Sequence, residues 1–155
     1  MAGLLNTDAV IQVGIIVKDV EKTKLKWAEF FGVPVPATVD AGDYEVTQTK
    51  YKGKAAPKSK CKMAFFNAGA NMQLELIQPN GEKSTWQDFL DKKGEGIHHI
   101  AFMVKDTKKV LETCEEKGVK CIQQGKYGDA SGEYAYLDTV KDLKCIIETL
   151  ESYSR

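Results

Sequence analysis

Four side chains in this sequence could share a cation, and their spacing is regular: Gln12, Glu75, His99 and Glu148. Each interrupts a run of apolar, strand-like residues. Glu75 sits within Met72-Gln-Leu-Glu-Leu-Ile77 and Glu148 within Cys145-Ile-Ile-Glu-Thr-Leu150. A carboxylate in such a run is costly to bury unless it is paired or bound to a metal. Either Glu alone could equally face solvent on a sheet surface. Two of them in equivalent strands, with a His and a Gln in the other two equivalent strands, argue against that. Three oxygen donors and one imidazole suit a hard or borderline divalent ion (Zn, Ni, Co, Mn or Mg) in an octahedral site with two open positions.

The equivalence comes from an internal repeat. Gln12-Val-Gly-Ile-Ile-Val-Lys-Asp19 matches His99-Ile-Ala-Phe-Met-Val-Lys-Asp106 without gaps. Each block reads as a buried strand ending in an Asp suited to cap a helix. A helix follows in both copies, with Val20, Trp27, Ala28 and Phe31 on one face of the first and Val110, Leu111 and Cys114 on one face of the second. Gly32 and Gly118 stop them. Three strand-like stretches follow each helix, at 44–51, 60–67 and 71–78 and then at 120–124, 132–137 and 143–150. Between the copies, 84–93 reads as a short amphipathic helix with Trp86, Phe89 and Leu90 inward.

The expected fold is α+β: two βαβββ modules forming a curved eight-stranded mixed sheet with helices on its outer face. One domain over 1–155 would comprise module 9–79, linker helix 80–94 and module 95–151. Period-2 geometry puts Ile11, Val13, Ile15 and Val17 on the helix side and Gln12, Gly14 and Ile16 opposite. The same rule puts His99, Ala101 and Met103 opposite Ile100, Phe102 and Val104. Gly14 and Ala101 are small and would leave room for a ligand. His98 should then point to the other face as a structural residue under a helix, or as a contact behind the ligands.

Composition narrows the function classes. Zero net charge over 155 residues, with 43% hydrophobic and 28% charged, describes an ordinary globular chain with no field for nucleic acid or anionic membrane. All but one of the basic residues are Lys; the exception is Arg155, so an anionic substrate would be held by Lys or backbone donors. Neither a signal peptide nor a membrane span is expected, and Cys61, Cys114, Cys121 and Cys145 lack metal spacing and read as reduced thiols. A cytoplasmic protein follows.

The sequence from about 9 to 151 resembles the vicinal-oxygen-chelate (glyoxalase-like) superfamily. Ser84-Thr-Trp-Gln-Asp-Phe-Leu-Asp-Lys-Lys-Gly-Glu-Gly-Ile-His-His-Ile-Ala-Phe102 is similar to the linker helix and Gly-x-Gly-(Leu/Ile)-His-His segment of methylmalonyl-CoA epimerases. Phe66-Asn-Ala-Gly-Ala-Asn-Met-Gln-Leu-Glu-Leu-Ile-Gln-Pro79 and Lys144-Cys-Ile-Ile-Glu148 resemble their ligand-bearing strands. The resemblance implies a metal held by His99, Glu148, Glu75 and Gln12. Gln12 departs from the usual epimerase His, and the set Gln, Glu, His, Glu is like that of glyoxalase I (lactoylglutathione lyase). Lys62 stands nearest to the position where some epimerases carry a second carboxylate base.

What the resemblance implies is an isomerase or lyase that abstracts a proton α to a metal-chelated carbonyl through an enediolate. Glu148 would be the main base and Glu75 its counterpart. The partner would be a small thioester or hemithioacetal, and the family often forms homodimers. The alternative is a metal-free small-molecule-binding protein of the same fold, like bleomycin-sequestering proteins. An extradiol dioxygenase needs two His in register, and only one is. Trp27, Trp86, Phe30 and Phe65 read as core. The loop 125–132 reads as a lid or substrate loop. The cluster Lys50, Lys52, Lys54, Lys58, Lys60 and Lys62 reads as a solvated sheet edge, or as a phosphate contact for a CoA-type substrate.

Overall fold

The computed structural model describes residues 3–153, so Arg155 lies outside the described residues. The order is β1 (Val10–Ile16), α1 (Val20–Phe31), β2 (Val39–Asp40), α2 (Tyr44–Thr47), β3 (Lys50–Tyr51), β4 (Lys54–Ala55), β5 (Cys61–Asn67) and β6 (Gln73–Pro79). Next come α3 (Thr85–Lys93), β7 (Gly96–Met103), α4 (Thr107–Glu116), β8 (Cys121–Lys126), β9 (Gly132–Leu137), α5 (Val140–Leu143) and β10 (Ile146–Ser152). One sheet holds all ten strands in the order β2-β5-β6-β1-β7-β10-β9-β8-β3-β4. Within each module the first strand pairs in parallel with the last, β1 with β6 and β7 with β10, and the modules meet where β1 and β7 run antiparallel.

The helices begin and end where their local chemistry directs. Asp19 accepts a hydrogen bond from the Lys22 N–H at 3.0 Å, and Asp106 does the same for Lys109 at 3.2 Å. Gly32 closes α1 in the left-handed region at φ 67°, which a side chain would disfavour. Ser84 caps α3 through the Gln87 N–H at 3.0 Å. Val20 and Ala28 of α1 pack on Val17, Ala64, Phe66, Leu74 and Leu76, while Val110 and Cys114 of α4 pack on Val104, Leu137 and Ile147. These two clusters cover the convex face. On the concave face, Trp86 of α3 packs with Ile16, Ile77, Tyr136 and Ile146 and plugs one end of the sheet. Among the described residues, no helix is long and apolar enough to cross a membrane.

Segment 44–51 departs from expectation. It forms a helical turn followed by β3, and the β3–β4 hairpin pairs with β8 at the far edge, not with its own module. This adds strands to the expected eight and also dictates the curl. Strands β2 and β3 stand eight positions apart in the sheet, a separation of about 38 Å if it were flat. The link from Asp40 to Lys50, with one helical turn in it, reaches only about 27 Å. The sheet must therefore roll its edges together. Where they meet, a Cβ on Gly42 would lie 2.6 Å from the Gly128 Cα, so the two backbones touch. Strand β4 forms one edge of the sheet, and its exposed Lys54 fits the solvated-edge reading of the lysine cluster.

Candidate active site

The rolled sheet encloses a cavity of about 660 Å³. Its floor is formed by the four central strands, each contributing one expected donor: Glu75 from β6, Gln12 from β1, His99 from β7 and Glu148 from β10. Strand register explains why they converge. One rung runs Gln12–Ala101–Glu148 and the next runs Glu75–Gly14–His99, so each pair of donors is separated by a small residue. Exchanging the two modules interchanges the rungs, which is the sequence repeat expressed as geometry.

Three oxygens close on the His99 Nε2: Glu148 Oε2 at 2.9 Å, Gln12 Oε1 at 3.1 Å and Glu75 Oε1 at 3.7 Å. All four residues are buried, His99 completely. Gln12 is oriented by its own amide, whose Nε2 donates to Gln73 Oε1 at 2.6 Å. Glu148 Oε2, although close to the imidazole, has no well-aligned hydrogen bond. Among the described residues, no three His, Cys, Asp or Glu stand around a common point at ligand spacing.

Burial and mutual repulsion set the charges. The Glu75 carboxyl is pushed up to about 8 by desolvation and by the Glu148 charge, against the pull of His99. Burial alone would lower His99, but the close negative charges of Glu148 and Glu75 outweigh it and raise it. Ionised together, the two buried carboxylates would carry more negative charge than a single imidazolium balances, so without a cation Glu75 holds its proton. With an orphaned Glu148 oxygen as well, the donor set fits a divalent cation.

Several expectations require correction. Gly14 does not leave room for a ligand: a Cβ there would lie 2.0 Å from His99 Cε1, so the imidazole itself fills the space. His98 does not take the opposite face. The β1–β7 register passes from Gly14–His99 to Ile15–Ile97, and this bulge makes His98 the extra residue. Both imidazoles then reach the Tyr136 ring, at 5.1 Å from His98 and 5.2 Å from His99. His98 does lie against a helix, with its ring 5.4 Å from Phe89 of α3. Lys62 is exposed, and the residues of β5 that line the cavity are Cys61, Met63 and Phe65. Phe30 is not core but 78% exposed, on the solvent side of α1 beside Trp27.

Other cavity residues were not foreseen. Asp40 and Asp129 add carboxylates to the wall, and Tyr136 stands directly across from Glu148 on β9. The Tyr136 hydroxyl accepts a hydrogen bond from the Trp86 indole at 2.9 Å, and burial holds its pKa well above the phenol value, so it keeps its proton. Alternation along β9 could have placed Tyr136 inward; nothing local in the sequence marks Asp40. Burial likewise raises the Cys61 thiol far above its ordinary value, which makes it a poor nucleophile. Lys126, Tyr127 and Ser131 of the 125–132 loop line the cavity, as a substrate loop would.

Comparison with known proteins gives the same architecture. A family model described as Glyoxalase/Bleomycin resistance protein/Dioxygenase superfamily matches residues 11–136. An ethylmalonyl-CoA/methylmalonyl-CoA epimerase of Cereibacter sphaeroides is 30% identical over 152 residues, covering 96% of this chain and 97% of that protein. An uncharacterised Bacillus subtilis protein, YqjC, is 37% identical over 76 residues, so that match spans 49% of this chain and only 54% of that relative. A methylmalonyl-CoA epimerase from Mycobacterium tuberculosis shares the fold at TM-score 0.69 and 21% identity, covering 99% of this chain and 93% of its own. A Streptomyces coelicolor methylmalonyl-CoA epimerase in complex with 2-nitronate-propionyl-CoA does so at TM-score 0.67 and 23% identity, covering 94% and 97%.

Proposed function

Because the chain belongs to the glyoxalase/bleomycin resistance protein/dioxygenase superfamily, we propose that it is a divalent-metal-dependent isomerase moving the α-proton of an acyl-CoA thioester. The observation that carries this reading is the convergence of Gln12, Glu75 and Glu148 within 3.7 Å of His99 Nε2 at the floor of a cavity. These four residues would hold the cation, one of Zn, Ni, Co, Mn or Mg. A cation there supplies fixed positive charge and Lewis-acid polarisation of the substrate carbonyl.

The chain's own residues do the rest. Glu148 accepts the α-proton, leaving the electron pair delocalised onto the thioester oxygen. Glu75 lies across the β1–β7 pair from Glu148 and returns a proton on the opposite face, which inverts the α-carbon. The substrate would enter past Lys126 and Tyr127 of the cavity wall, while Met63, Phe65, Ile77 and Leu150 would exclude water around the acyl group. Homodimer formation belongs to the same proposal, supported by the exposed apolar residues Phe30, Val33 and Val35.

Incubating metal-restored protein with methylmalonyl-CoA in deuterium oxide tests this reading by mass spectrometry. Deuterium should enter the α-position, and Glu148→Gln should slow entry about 10²- to 10⁴-fold. Full exchange by Glu148→Gln under metal saturation would refute the base assignment. Exchange that persists after chelation would refute the metal dependence. Exchange confined to a glutathione hemithioacetal would move the substrate to the glyoxalase type.

A further inference from the structure

His98 neighbours the site, yet the chemistry above gives it no task. It is 1% exposed, and its Nδ1 lies 2.9 Å from His99 Nδ1. Two imidazole nitrogens at that distance share one proton, so one donates and the other offers a lone pair. The far side of the His99 ring decides which. There, Nε2 faces the oxygens of Glu148, Gln12 and Glu75. If Nε2 gives its lone pair to a cation, the ring's proton must sit on Nδ1. His98 Nδ1 is then the acceptor.

The surroundings of His98 hold it in that role. Its ring is fixed edge-to-face between Phe89 and Tyr136, at interplanar angles of 79° and 87°. The Thr85 backbone, at the first turn of α3, acts on the ring as a hydrogen-bond acceptor would, although the ring's Nε2 has no well-aligned partner. Thr85 is pinned in turn, because its N–H donates to the side-chain oxygen of the buried Gln123 at 2.8 Å. The linker helix is thereby connected to the imidazole at the centre of the site.

We infer that His98 is a positioning residue: its Nδ1 accepts the Nδ1 proton of His99 and aims His99 Nε2 at Gln12, Glu75 and Glu148. The inference rests on the proposed cation site, because a cation on Nε2 is what places the His99 proton on Nδ1. Ligand imidazoles depend on such partners for tautomer and orientation, and losing one weakens metal binding about 10- to 100-fold.

Two measurements separate the inference from the reading beneath it. The first is a long-range ¹H–¹⁵N spectrum of histidine-labelled protein, alone and with Zn²⁺. With Zn²⁺ bound it should show His99 protonated at Nδ1 and His98 unprotonated at Nδ1. A Zn²⁺-loaded spectrum with the Nδ1 proton on His98 overturns the inference and leaves the cation site standing. The second is Zn²⁺ affinity, by chelator competition, for wild type, His98→Asn and His98→Leu, each checked for folding by circular dichroism. Asn can place an acceptor oxygen near the Nδ1 position, so it should stay within about threefold of wild type, whereas Leu should lose about 10- to 100-fold. Equal losses in both variants, or none in Leu, would reduce His98 to a packing residue. No Zn²⁺ uptake by wild type would remove the cation site and this inference with it.

Discussion

Gly14→Ala is the most informative single perturbation of the site, because the clash it creates is with one side chain. The added Cβ would stand 2.0 Å from Cε1, 2.4 Å from Nδ1 and 2.5 Å from Nε2 of His99. Carbon atoms pack at about 3.5–4.0 Å, so the ring must retreat by about 1.5 Å or more. That displacement abolishes the 2.9 and 3.1 Å contacts to Glu148 and Gln12. Overpacking costs about 1–3 kcal/mol, and separating a buried ion pair costs about 3–5 kcal/mol when complete. Against these, the stiffer unfolded chain returns about 0.4–1 kcal/mol. A net loss of about 3 kcal/mol is expected, since the ring can move only in part. Urea unfolding of metal-free protein measures it. In a His99→Ala background the same change should cost nothing, giving a coupling of about 3 kcal/mol. An equal cost in both backgrounds would refute the claim that the imidazole occupies the space above Gly14.

Two further outcomes follow from the geometry. Glu75 titrates higher in the folded chain, at about 8, than the 4.5 of an ordinary carboxylate, so the fold binds a proton that the unfolded chain has released. Metal-free protein should therefore lose stability as pH rises from about 4.5 to about 8, and Glu75→Gln should flatten that slope; an unchanged slope in the variant would contradict the assignment. Ser84→Ala removes the cap that holds α3 and Trp86 in the concave cluster, and should cost about 1 kcal/mol in the same urea assay. A cost below about 0.3 kcal/mol would show that packing alone fixes the start of α3.

The parts of this molecule legible in its sequence are those governed by period and repetition. Gln12 and His99 fall at matched positions of two β-branched strands, and alternation alone put them on one face with Glu75 and Glu148. The helix caps Asp19 and Asp106 were readable because capping depends on a few adjacent residues. What escaped depends on contacts between distant segments. A bulge arises from pairing with a partner strand, so a run such as Gly96–Met103 does not announce that His98 will turn toward Tyr136. Residues 44–51 have strand-like composition, but the edge they join lies in the other module, and reaching it requires the turn at Tyr44–Thr47. Gly14 was recognisable as small, yet only strand pairing brings an imidazole into the place of its missing side chain.

The central claim is that Gln12, Glu75, His99 and Glu148 together hold one divalent cation. Titrating chelator-stripped protein with Co²⁺, while following its visible absorption and the bound stoichiometry, measures this directly. One Co²⁺ per chain is expected, with weak bands of a six-coordinate oxygen-rich site, abolished by His99→Ala and strongly weakened by Glu75→Gln or Glu148→Gln. Binding that survives His99→Ala unchanged, or no binding to a folded wild-type chain, would contradict it.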